Sequence, residues 1–77
     1  MIVGGIMYRL KVKEVAESKG IGIAKLSRLA DVSIISVRKM WRNPDYKPGL
    51  DTLEKIAKAL GVRVEDLLEY TPDDGEV

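Results

Sequence analysis

The sequence predicts an all-α fold of five helices in one small domain. Its 77 residues are enough for a single domain, and 45% of them are hydrophobic, which is ordinary for a folded core. Apolar residues recur with the period of about 3.6 residues that one face of a helix requires. The clearest such run is Leu53, Ile56, Ala57 and Leu60. We expect an N-terminal arm at residues 1–9, the helical domain at 10–70 and an acidic flexible tail at 71–77.

The predicted helices begin and end at residues with suitable local chemistry. They span residues 11–19, 23–30, 34–42, 50–60 and 64–70. Gly20 and Gly61 follow two of them, and glycine readily adopts the left-handed conformation that ends a helix. Ser33 is a good N-cap for the third helix, which Asn43 and Pro44 terminate. The helix boundaries therefore follow from residues next to them in sequence.

The start of the chain allows a second interpretation. Ile6, Tyr8 and Leu10 alternate with other residues, and this period of two favours a short, half-buried strand as an alternative to an arm. The uncharged stretch over residues 1–8 is too short to span a bilayer and lacks the basic start of a secretory signal. We therefore expect a cytoplasmic protein without a membrane partner.

The charges divide the chain into two unlike parts. Residues 1–50 contain ten basic and four acidic side chains, a formal charge of +6. Residues 51–77 contain three basic and eight acidic side chains, a formal charge of −5. The basic part suggests a polyanion as partner, although a solvated surface with segregated charges explains the composition equally well.

The composition disfavours catalysis and metal binding. Cysteine and histidine are both absent, which excludes disulfides, thiol nucleophiles and imidazole bases. The serines lack a base to activate them. Glu65, Asp66 and Glu69 are better explained as a solvated helix face than as a metal site. We predict that the protein is not an enzyme and has no catalytic residues, metal or cofactor.

Residues 23–42 fit the steric pattern of two short helices joined by a tight turn. In this helix-turn-helix arrangement Leu26 and Ala30 point inward, small Ser27 permits close approach, and Asp31 occupies the sharp turn. The apolar side of the second helix packs below it through Val37 and Met40. The side chains then left facing outward are Ser33, Ile34, Ile35, Arg38, Lys39 and Arg42.

Two stretches resemble a known protein family. They are GIGIAKLSRLADVSIISVRKM, over residues 20–40, and LDTLEKIAKALGVRVEDLLE, over residues 50–69. They are similar to the lambda-repressor-like, or XRE-type, helix-turn-helix family, and the resemblance covers residues 10–68. It implies a five-helix DNA-binding domain, commonly homodimeric and often a transcriptional repressor.

The resemblance also implies which side chains contact DNA. Helix 34–42 becomes the recognition helix in the major groove. The residues at base-reading positions are Ser33, Ile34, Ile35, Arg38 and Lys39. The residues near phosphates are Lys25, Arg42, Asn43 and Lys47. This chain departs from the family at Ile23, where a phosphate-gripping glutamine is usual, and at Ile34, where a polar residue is usual.

These observations predict a sequence-specific, double-stranded DNA-binding protein that acts as a dimeric transcriptional regulator. Residues 2–12 and the last helix are the candidate dimer surfaces. The alternative is an antitoxin or another protein-binding module of the same fold, in which exposed Ile34 and Ile35 contact a protein partner. Tyr8 and Tyr46 are interpreted as surface packing, and Trp41 as a core or rim residue.

Overall fold

The structure, a computed structural model, describes residues 6–72. Its elements in chain order are strand β1 (Ile6–Leu10), helices α1 (Val12–Ser18), α2 (Ile23–Ala30), α3 (Ile34–Arg42) and α4 (Leu50–Leu60), a 3-10 turn (Val64–Leu67) and strand β2 (Leu68–Pro72). The predicted arm before residue 6 and the predicted tail after residue 72 lie outside this range. Within the range, every helix is too short or too polar to cross a bilayer.

One hydrophobic core joins the helices. The buried side chains are Leu10, Val12, Ala16, Leu26, Ala30, Val37, Met40, Leu53, Ile56, Ala57, Leu60 and Leu67. Helix α4 contributes four of them, at the positions that its apolar period predicts. Because α2 packs on α4 and α1 contacts both α3 and α4, the core holds the two helices of the helix-turn-helix from one side.

Helix α1 and helix α4 end in the same way. Gly20 and Gly61 both have φ of 72°, and each is followed by a residue whose N–H bonds back into the helix. The Ile21 N–H donates to the Ala16 carbonyl at 2.9 Å, and Ile21 packs on the core. Both predicted glycine stops are confirmed.

The two strands form an antiparallel sheet, with Ile6 opposite Pro72 and Leu10 opposite Leu68. The alternative of a short N-terminal strand is therefore confirmed. Past the sheet, the Lys11 N–H donates to the Leu67 carbonyl at 2.7 Å. The beginning and the end of the described chain are thus joined, and buried Leu10 connects the sheet to the core.

The prediction of a fifth α-helix over residues 64–70 is wrong. The segment forms a single 3-10 turn, in which the Arg63 N–H donates to the Asp66 carboxylate at 3.0 Å, and it continues into β2. An isolated helix of seven residues is marginal, because few hydrogen bonds offset the ordering of its backbone. Pairing with β1 instead gives the backbone of residues 68–72 hydrogen-bond partners on the neighbouring strand. The described fold is therefore four α-helices with a two-stranded sheet.

Because residues 64–70 do not form one helix, the three acidic residues that were predicted to share a helix face lie in two different elements. Glu65 and Asp66 lie in the 3-10 turn, whereas Glu69 lies on β2 opposite Arg9. Over residues 6–72, no three acidic side chains converge in a way that could hold a metal ion.

Candidate nucleic-acid interface

The turn between α2 and α3 sets the direction of α3. Asp31 adopts the left-handed conformation, with φ of 56° and ψ of 46°. The Ser27 hydroxyl donates a hydrogen bond of 2.6 Å to the Val32 carbonyl, and the Val32 N–H returns one to the Ser27 carbonyl at 3.1 Å. Because Ser27 is small and its hydroxyl bonds across the corner, the two helices can approach closely at a fixed angle.

Helix α3 begins at a serine cap and rests on the core. The Ser33 hydroxyl accepts a hydrogen bond of 3.1 Å from the Ser36 N–H, as expected for an N-cap. Val37 is 0% exposed and Met40 is 1% exposed, so the inner side of α3 is fully covered. Trp41 packs against the core as a half-buried residue. The predicted orientation of α3 is therefore confirmed.

The outer side of α3 faces solvent. Its exposed residues include Ile34, Ile35, Arg38, Lys39 and Arg42, with Ser33 before the first turn. Ile34 is 39% exposed and Ile35 is 61% exposed. Arg38, Lys39 and Arg42 form no ion pair with any side chain in the described range. This face therefore combines two apolar side chains with three cations that are not neutralised within the described chain.

An open groove lies along this face, with a volume of about 470 Å³. Its lining residues are Ile35, Arg38, Lys39, Arg42, Asn43 and Tyr46. The loop after α3 forms one wall, because the Tyr46 N–H donates to the Asn43 carbonyl at 3.0 Å and turns the chain back. Five of the residues predicted to contact DNA thus meet in one groove.

The other residues predicted to contact DNA are also exposed. Ser33 and Ile34 are exposed at the start of α3, and Lys25 is exposed in the first turn of α2. Lys47 is exposed in the loop before α4. Asn43 uses its side-chain oxygen to accept the Asp45 N–H at 3.1 Å. The amide nitrogen of Asn43 is then the part of that side chain that can donate to an anion.

Two tyrosines contact lysines of the candidate site, although their residue pattern had predicted only surface packing. Tyr46 lines the groove, and the Lys39 ammonium lies 5.8 Å from its ring centroid. The Lys47 ammonium lies 4.2 Å from the ring centroid of Tyr8. Tyr46 follows α3 closely, so its place near the groove had a sequence signal. Tyr8 had none, because it is distant from Lys47 in sequence.

An exposed cationic helix, supported from beneath within a helix-turn-helix, is typical of a nucleic-acid-binding domain. A family model described as the Cro/C1-type HTH DNA-binding domain matches residues 11–73. The chain belongs to this family of DNA-binding domains. The resemblance to lambda-repressor-like proteins is thereby confirmed.

Solved structures share the fold. A protein from Bacteroides fragilis that is assigned as DNA-binding has a TM-score of 0.71 and 25% identity, covering 82% of this chain and all of its own chain. The transcriptional regulator VanUg has a TM-score of 0.70 and 18% identity, covering 94% of this chain and 95% of its own. A search of curated proteins found no match.

Proposed function

We propose that this protein is a transcriptional repressor that inserts α3 into the major groove of specific double-stranded DNA sites. The observation that carries the proposal is the division of α3 into two sides. Val37 and Met40 are buried, while the opposite side is exposed and cationic. A helix held in this way can enter a groove about 12 Å wide without unpacking the domain.

Base recognition is assigned to the exposed residues at the start and middle of α3. Ile34 and Ile35 can pack against thymine methyl groups. Arg38 and Lys39 can donate hydrogen bonds to guanine O6 and N7. Ser33, whose hydroxyl already caps the helix, lies beside them and completes the proposed base-reading set.

Phosphate binding is assigned to residues at both ends of the helix-turn-helix. Lys25 lies at the start of α2, whereas Arg42, Asn43 and Lys47 follow one another around the end of α3. Cations that neutralise phosphates release counterions, and this supplies affinity that is independent of sequence. The proposed base-reading residues lie between these two groups along the chain.

The proposed active form is a homodimer. One recognition helix reads only a few base pairs, and a two-fold pair of domains reads two half-sites about one helical turn apart. We therefore expect selected DNA sites to be palindromic. Sedimentation of the protein with a selected duplex measures the stoichiometry, and one protomer per site would contradict the dimer.

The first experiment selects duplexes from a random pool and compares two variants on the selected and random DNA. We expect Arg38→Ala to lose about 1–3 kcal/mol of base discrimination, because a bidentate contact to guanine is lost. Lys25→Ala is the matched control, since it removes a cation proposed to contact phosphate. It should weaken selected and random duplexes equally and reduce the salt slope by about 0.9.

The results separate base reading from electrostatic attraction. Equal losses on selected and random duplexes from Arg38→Ala would exclude Arg38 as a base-reading residue. Binding that does not change with salt concentration would exclude the proposed phosphate contacts. A regulated promoter whose transcription rises when the protein is removed would support repression, and a fall would indicate activation.

Exposed Ile34 and Ile35 favour a second candidate, a protein-binding module such as an antitoxin. Their apolar side chains are suited to contact with a protein surface as well as with thymine. If this candidate is correct, substituting both isoleucines with serine should abolish binding to the protein partner. The wild-type protein should then shift the mobility of no duplex in a gel. Selection of a specific duplex from the random pool by the wild-type protein would instead support the repressor.

A further inference from the structure

The loop between α3 and α4, residues 43–49, is fastened to strand β1. The Leu10 N–H donates a hydrogen bond of 2.8 Å to the Pro44 carbonyl. Next along the strand, the Arg9 guanidinium lies 4.0 Å from the Asp45 carboxylate. The Lys47 ammonium lies 4.2 Å from the centroid of the Tyr8 ring. Successive residues of β1 therefore contact a loop that also forms one wall of the groove.

We propose that Tyr8 is a positioning residue for DNA binding, whose ring holds the Lys47 ammonium ready for a backbone phosphate. The inference rests on the proposed function and extends it to a residue outside the helix-turn-helix. The face of an aromatic ring attracts a cation within about 6 Å of its centroid. A lysine that is held before binding loses less side-chain freedom when it meets a phosphate.

The geometry leaves Lys47 able to bind an anion. An ammonium group has three N–H donors, and a ring occupies only one side of it. Within residues 6–72, the ion pairs are Arg9 with Asp45 and Arg63 with Glu65, so Lys47 is not neutralised by a carboxylate there. The charge of Lys47 therefore remains available while its direction is restricted.

Tyr8 is itself held in place by the sheet. It is half-buried and lies directly opposite Tyr70 in the antiparallel register. The two ring centroids are 6.4 Å apart and the ring planes meet at 60°, a tilted arrangement that aromatic pairs favour. Pairing of β1 with β2 therefore supports the ring that contacts Lys47. The other lysine–tyrosine pair, Lys39 with Tyr46 in the groove, is more widely separated, with 5.8 Å between the ammonium and the ring centroid.

The test measures affinity and its salt dependence for Tyr8→Leu on selected and random duplexes. We expect a loss of about two- to fivefold on both kinds of duplex, which is the usual strength of an exposed cation–π contact. Tyr8→Phe keeps the ring and should bind like the wild type. Tyr8→Phe is the matched control, because it changes the same position of the sheet without removing the ring that faces Lys47.

A double-mutant cycle connects the loss to Lys47. Lys47→Ala should weaken binding and lower the salt slope by about 0.9, and Tyr8→Leu should cause no further loss in that background. An effect of Tyr8→Leu that persists without Lys47 would overturn the inference. An equal loss from Tyr8→Phe would overturn it too, since the hydroxyl group and not the ring would then be responsible.

A measurement on the wild-type protein without DNA keeps the inference testable if Tyr8→Leu does not fold. The ring current of Tyr8 should shift the NMR signals of the Lys47 ε-protons upfield, and the Tyr8→Phe variant should retain that shift. Lys47 ε-proton signals at the usual positions for lysine in the wild type would overturn this inference and leave the proposed function unaffected. Failure of the wild type to bind any duplex, with the shift present, would overturn the proposed function and the DNA role of Tyr8 together.

Discussion

The helix-turn-helix, residues 23–42, and the sheet with its attached loop differ in how their structure is encoded. Within the helix-turn-helix, the contacts that set the geometry join residues close in sequence, such as Ser27 with Val32 and Ser33 with Ser36. The sheet joins residues 6–10 to residues 68–72. Local contacts lose little chain entropy when they form, whereas pairing two distant strands closes a long loop and costs more chain entropy.

The two regions also differ in what holds them. The helix-turn-helix contributes four side chains to the core, Leu26, Ala30, Val37 and Met40. Strand β1 contributes Leu10, and Leu68 on β2 is only half-buried. We therefore expect substitutions below the helix-turn-helix to affect the whole domain, and most substitutions on the surface of the sheet to act locally.

The largest expected effect tests the core below the helix-turn-helix. Leu26 is 0% exposed and Leu29, on the same helix, is 51% exposed. Leu26→Ala should lower the free energy of unfolding by about 2–5 kcal/mol, because it removes a buried side chain and leaves a cavity. Leu29→Ala is the control and should change it by about 0.5 kcal/mol or less. Urea denaturation measures both, and similar losses would mean that α2 is oriented differently.

An intermediate effect tests the local contacts of the same unit. Ser33→Ala should lower the free energy of unfolding by about 1 kcal/mol, because the Ser36 N–H at the start of α3 loses its acceptor. Ser18→Ala is the control, since the Ser18 hydroxyl bonds the Val15 carbonyl inside the last turn of α1. Alanine favours a helix at that position, so thermal unfolding should show little change. A loss equal to that of Ser33→Ala would contradict the capping role.

The smallest expected effect separates the contacts that fasten the loop to β1. The ion pair between Arg9 and Asp45 is solvent-exposed and 4.0 Å long. Arg9→Ala should lower the free energy of unfolding by about 0.5 kcal/mol or less, since exposed ion pairs contribute little. Leu10→Ala, at the next position, is the comparison and should cost several times more. A large effect of Arg9→Ala in urea denaturation would show that the ion pair is a main attachment of the loop.

Much of the fold could be predicted from short segments. The left-handed turn at Asp31, the cap at Ser33 and the glycine stop at Gly61 depend on the conformations open to those residue types. The fifth helix was predicted wrongly because residues 64–70 have an apolar pattern that suits a helix or a strand. Pairing with β1, which no local pattern reveals, decided between the two.

The candidate site also combines features that the sequence predicts with contacts that it does not predict. The exposure of Arg38, Lys39 and Arg42 follows from the burial of Val37 and Met40 on the other side of the same helix, so periodicity predicts it. Periodicity does not predict that Tyr46 lines the groove or that Tyr8 lies against Lys47. Those contacts depend on the path of the loop after α3, which its attachment to β1 determines.

The sequence by itself determined the helix-turn-helix, the cationic side of α3 and the family to which the chain belongs. Side-chain spacing and backbone preference act over a few residues, so these features can be read directly from short segments. Only the tertiary structure decided that residues 68–72 form a strand and that a tyrosine of the first strand contacts a lysine beside α3. Such contacts join residues far apart in the chain, and they form because the folded core brings both ends to one side of the domain.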